Sequence, residues 1–141
     1  MNVNTSFQTK HANIVYQPDK NILYLTWHNF TPSPEYRNIL NKALEIMDAY
    51  YVKKWIFDQR EAGVIAPDDI KWVVNDWTPR VVQKLGKNIY SAVILAKNIF
   101  GEVSLKNLVA GTQKQKDTQG AIETRYFDTV EEAEKWLQSV T

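Results

Sequence analysis

Asp58, Arg60 and Glu61, three charged residues within a span of four, are the densest set of chemically capable side chains in this chain. An acid beside an arginine could clamp a polar substrate, or act as a general base next to an oxyanion stabiliser, which is the outline of a hydrolase. The structural alternative is that Asp58 accepts nearby backbone N–H groups while Arg60 pairs with Glu61 in solvent. That alternative is preferred, because loop aspartates commonly do this and no nucleophile with a partnered base stands alongside. No catalytic residue is assigned, and the chain is expected not to be an enzyme.

Other chemistry is thinly represented. His11 and His28 have no serine or acid partner at a known spacing, and two histidines fall short of the three or four ligands of a usual metal site. The chain has no cysteine, which excludes disulfides, thiol catalysis and Cys-ligated zinc. Gly86-Lys87 lacks the rest of a phosphate loop, and Gly101 and Gly111 do not make a dinucleotide fingerprint. No cofactor and no metal is expected.

The aromatic content is more suggestive, with five Trp, seven Tyr and five Phe. Trp77 falls on the inward stripe of a helix with Ile70, Val73, Val74 and Val81, whereas Trp72 falls off it. A tryptophan off the stripe either lines a pocket or partner surface, or is buried between two layers. The expected binding surface is therefore Asp58, Arg60, Glu61, Ile65, Trp72 and Trp77.

The elements that would carry these residues can be read from periodicity. Residues 1–10 are polar and read as a flexible arm ahead of a single domain over 11–141. Ala12–Tyr16 and Ile22–Trp27 flank a Pro-Asp turn and predict an antiparallel hairpin. Ser33-Pro34-Glu35 predicts a helix start with Ser33 as N-cap, and Tyr36, Ile39, Leu40, Ala43, Leu44 and Met47 continue it. Val52–Phe57 is a strand, followed by a loop from Asp58 to Pro67. Asp68-Asp69 open the second helix, which Pro79 should kink or end. Ile89–Ala96 is a buried central strand, and Leu105, Leu108 and Val109 mark a third helix ending near Gly111. Ile122–Phe127 is the last strand, and Thr129 to Glu132 is a capping box for the last helix. The order β-β-α-β-α-β-α-β-α predicts an α/β domain with a mixed sheet of about five strands.

Net charge is +1, so no overall field favours nucleic acid, and the Lys114-Gln115-Lys116 loop has charge but no interleaved aromatics to bind it. The start has no signal-like apolar core, and no apolar run is long enough to span a bilayer. A cytoplasmic location without integral membrane association is expected.

Several motifs in order are similar to the STAS superfamily, and closest to its single-domain SpoIIAA-like members. They are Leu25-Thr26-Trp27, Glu35-Tyr36-Arg37, Trp55-Ile56-Phe57-Asp58, Gly63 to Asp69, Asn75 to Arg80, and Tyr126-Phe127-Asp128 ahead of Glu132 to Leu137. The resemblance implies the fold of anti-sigma-factor antagonists and a regulatory style of function. Those antagonists carry a phosphorylatable serine after the third strand, whereas Asp58 to Pro67 holds no hydroxyl residue, so that switch is not implied here.

The expected function is a non-enzymatic interaction domain that docks an unidentified protein partner. A small apolar molecule or lipid in an aromatic pocket is the alternative, and a hydrolase built on Asp58, Glu61 and Arg60 comes third. A homodimer paired through an edge strand is a further expectation.

Overall fold

A computed structural model describes residues 4–140. These form a mixed α/β domain whose six strands lie in the sheet in chain order. The hairpin is present: β2 (Ala12–Gln17) and β3 (Ile22–Asn29) pair antiparallel, with Ile14 opposite Leu25. The sheet has one strand more than the pattern predicts. It lies within the polar arm, where β1 (Ser6–Gln8) pairs antiparallel with β2. Phe7 carries it, packing its ring against the core.

Strands β3, β4 (Lys54–Ala62), β5 (Ile89–Ile94) and β6 (Ile122–Phe127) are parallel neighbours. The connections between them are helical: α1 (Ser33–Tyr50), then α2 (Pro67–Trp72) with α3 (Thr78–Leu85), then α4 (Ile99–Lys114). These helices cover one face of the sheet, over Leu25, Trp27, Trp55, Ile89 and Val93. The last helix, α5 (Val130–Ser139), lies on the other face over Ile22, Ile56, Ala92 and Ile94. Period-two alternation explains the division, since Trp55 and Phe57 point to one layer and Ile56 to the other.

Two local expectations are corrected. Strand β4 does not stop at Phe57 but runs to Ala62, because β3 continues to offer pairing groups as far as Asn29. Thr26 faces Asp58 whereas His28 faces Glu61, so a bulge in β4 absorbs one extra residue. Asp58, Arg60 and Glu61 therefore stand on a strand, and the loop proper is only residues 63–66.

Ser33 is the first helical residue of α1, not its cap, and Pro32 precedes it without a side-chain cap. The Ser33 hydroxyl instead donates to Asp69 Oδ2 at 2.8 Å, and Arg37 Nε donates to Asp69 Oδ1 at 2.9 Å. Asp69 is only 1% exposed, so it ties α1 to α2 more than it serves the helix dipole.

The second helix is interrupted before Pro79. Val73–Trp77 form a π-turn, in which the Thr78 N–H donates to the Val73 carbonyl five residues back. Pro79 supplies the reason. It has no N–H to give, and its ring crowds the carbonyl four residues back, so the chain widens there and restarts as α3. The third and fourth expected helices are both found. The capping box at Thr129 is formed too, its hydroxyl oxygen accepting the Glu132 N–H at 3.2 Å.

Candidate functional site

The carboxyl ends of β3, β4 and β5 meet at one edge of the domain, where their loops pack closely. Gly63 N–H donates to the Asn29 carbonyl at 3.1 Å, and a Cβ on Gly63 would lie 2.9 Å from the Phe30 nitrogen. Asn98, ahead of α4, donates from Nδ2 to the Ala62 carbonyl at 3.0 Å and accepts the Gly101 N–H at 2.6 Å. Residues 29–31, 62–65 and 97–101 therefore form one continuous surface.

The six expected site residues are distributed over four places. Asp58 and Arg60 point to the α5 face. Arg60 donates to Asp58 from Nη2 at 2.6 Å and from Nε at 3.0 Å, and its backbone N–H adds a third bond at 3.1 Å. Burial alone would raise the Asp58 pKa, but the hydrogen bonds and charge of Arg60 outweigh it and, with His28, lower it. An ionised carboxylate so fully engaged is a poor proton acceptor. Glu61 is exposed and sits 3.5 Å from His28 Nδ1, beyond the bulge. The three charges thus do not converge on one cleft.

Trp72 is half-buried beside α1, and its ring is already partnered. The guanidinium groups of Arg37 and Arg80 lie 5.3 and 5.8 Å from its centroid. Both arginines are held in turn, Arg37 by Asp69 and Arg80 by Asp76. Neither outcome expected for Trp72, an open surface or a ring sealed between layers, describes this clasp.

Ile65 and Trp77 do come together, in the wall of a hollow between the sheet and the π-turn. Its volume is about 60 Å³, and Trp27, Tyr36, Trp55 and Phe57 also line it. Trp77 is fixed by an indole N–H that donates to the Leu40 carbonyl at 2.8 Å, and Trp55 by one that donates to Ser91 Oγ at 2.6 Å. The hollow is small because α4 closes on the π-turn. Gly111 lies so near that a Cβ there would be 2.8 Å from Val74 Cγ2. It has room for about four to six water-sized groups, too few for a fatty-acid chain or a sterol.

Two groups of residues were not expected from the sequence. Gln59 is 6% exposed, and its carboxamide stands in the hollow with no hydrogen-bond partner among the described residues. Alternation from Trp55 and Phe57 would have placed it there, had β4 been extended past Phe57. The second group is an apolar rim on the loop surface: Phe30 is 52% exposed, Val64 45%, Ile99 69%, Phe100 72% and Val103 53%. Ile99, Phe100 and Val103 share one side of α4, away from the inward Leu105 and Val109. That second stripe was legible in the sequence, as large apolar residues ahead of the inward set.

Among the described residues, no group of three or more His, Cys, Asp or Glu is placed to hold a metal ion, and no helix is long and apolar enough to cross a membrane. No protein-family model, curated protein or solved structure matches the chain.

Proposed function

We propose that this chain is a non-enzymatic, SpoIIAA-like interaction domain that docks a partner protein through the apolar rim Phe30, Val64, Ile99, Phe100 and Val103. The observation that carries the reading is the rim itself. Large apolar side chains from two loops and the first turns of α4 are gathered at one sheet edge and stand exposed among the described residues. Single exposed apolar residues are ordinary, whereas a contiguous group marks a surface that another molecule covers. The strand ends of α/β sheets are also where loops carry recognition.

The SpoIIAA-like part of the proposal is supported by the element order. With α2, the π-turn and α3 counted as one interrupted helix, β2 onward follows the β-β-α-β-α-β-α-β-α series that the motifs imply. The docking surface differs from the one the sequence suggested. Asp58 and Arg60 satisfy each other, and Trp72 is held by two arginines, so the contact is centred on Phe100 and Val64.

Burying Phe100 in a partner would contribute about 1.5–3 kcal/mol, and a carboxylate there would oppose docking. Chemical cross-linking in cells, with Phe100→Glu and Val64→Asp compared against the unaltered chain, tests this. The expected result is a defined cross-linked partner that both variants lose while their circular dichroism is unchanged. Equal cross-linking by all three proteins, or none by any, would overturn it. Sedimentation of the purified chain reports whether the partner is a second copy.

A further inference from the structure

We propose that the hollow beneath the π-turn is a binding site for a small uncharged amide or lactam, read by the Gln59 carboxamide. The inference rests on residues other than the docking rim and stands or falls separately from it.

Five aromatic rings line the hollow together with aliphatic and hydroxyl side chains, and among the described residues no ionised side chain lines it. A charged ligand would lose its hydration there without a compensating partner, so the ligand must be neutral. Yet the wall is not wholly apolar. Gln59, at 6% exposed, presents a carbonyl acceptor and an NH₂ donor with no protein partner among the described residues. Its polar atoms are not sealed in but open onto the hollow, so a molecule that enters can pair with them.

The partner that satisfies both functions of a carboxamide at once is another amide, offering its own N–H and C=O along one edge. Gln59 is well placed for this because it also lines a second, smaller hollow with Trp27, Tyr36 and Ile65. Thr31 lines that second hollow too, and its Oγ1 is buried without a hydrogen-bond partner. Size limits the ligand further. A volume of about 60 Å³ accommodates about four to six non-hydrogen atoms, the scale of acetamide or a five-membered lactam.

The half-buried Leu108, Thr112, Ile122 and Thr124 form the flank of the hollow away from the core. The last three of these also line a further hollow beside β6, which gives the ligand a route in.

Ligand-observed NMR with 2-pyrrolidinone and its N–H-lacking counterpart cyclopentanone tests the proposal on the full chain. The expected result is saturation transfer to 2-pyrrolidinone, with quenching or enhancement of tryptophan fluorescence. Cyclopentanone, and a Gln59→Leu variant, should each show binding weaker by about tenfold, the cost of leaving a carboxamide edge unpaired. Gln59→Met serves if Gln59→Leu does not fold, and thermal unfolding of each variant checks the fold. Equal binding of the two probes would overturn the proposal. So would equal binding of 2-pyrrolidinone by the Gln59 variants, or no binding of either probe at tens of millimolar.

Discussion

Arg60 folds back along its own strand onto Asp58, meeting both carboxylate oxygens and giving one of them its backbone N–H as well. Two residues apart on a β-strand share a face, so this closure needs no tertiary partner. It accounts for the most chemically suggestive part of the sequence without invoking a substrate.

The pair has a pH signature. The folded Asp58 pKa lies below its ordinary value of 3.8, so the folded chain binds fewer protons than the unfolded one near that pH. Stability from this group is full above the ordinary value and is lost as pH falls through the lowered folded value. Asp58→Asn should thus be less stable than the unaltered chain at neutral pH, with the gap closing under acid. Urea unfolding measured from neutral pH downward checks this, and a gap that widens under acid would refute it.

Trp77→Phe removes the indole N–H that satisfies the Leu40 carbonyl and enlarges the hollow. A destabilisation of about 1–3 kcal/mol is expected, combining a lost hydrogen bond with missing contacts. Denaturant titration reads it. A variant as stable as the parent would mean that the hollow collapses around the smaller ring.

Gly111 and Val74 should be coupled. In a helix, Gly→Ala alone is favourable by about 1 kcal/mol, but here the new methyl would meet the stiff Val74 side chain at 2.8 Å. Gly111→Ala should therefore destabilise the unaltered chain and stabilise a Val74→Ala background. A double-mutant cycle by thermal unfolding measures the difference in sign, and additive effects would show that the close approach carries no strain.

Gly63→Ala is expected to be more damaging, because its Cβ would be 2.9 Å from backbone rather than from a side chain. The loop after β3 would have to move, at a cost of about 1–3 kcal/mol. Loss of partner cross-linking should accompany it, since Phe30 and Val64 move with the two loops. Unaltered melting and cross-linking together would argue that the loops adjust freely.

Much of the fold was legible because it is set by local periodicity. The hairpin around Pro18-Asp19, the stripe from Tyr36 to Met47, the strand beginning near Ile89 and the capping box at Thr129 follow from side-chain spacing and turn chemistry. Each of these decides its structure within a few residues. Strand ends are different. Whether β4 stops at Phe57 or continues to Ala62 depends on whether β3 lies alongside to accept its hydrogen bonds, and no window around Asp58 contains that information. The same holds for β1, whose three residues form a strand only because β2 presents an open edge.

The site divides along the same line. Of its apolar members, Trp77 could be placed inward by the helical period it shares with Ile70, Val73 and Val81, whereas Ile65 lies on the loop of residues 63–66, which has no period to place it. Arg60 turning to Asp58 follows from strand alternation once β4 is extended past Phe57, and what the bulge decided is that Glu61 stands against His28. Trp72 acquired its neighbours from α1 and α3, two elements far apart in the chain, so only their packing could bring Arg37 and Arg80 over its ring. Gln59 drew its significance from a volume left between the sheet and the π-turn. Residue types and their spacing set which positions are apolar, charged or turn-forming and the period on which they recur. The tertiary structure decided which polar groups find partners and which are left facing empty space, because that depends on distances between elements that local spacing does not encode.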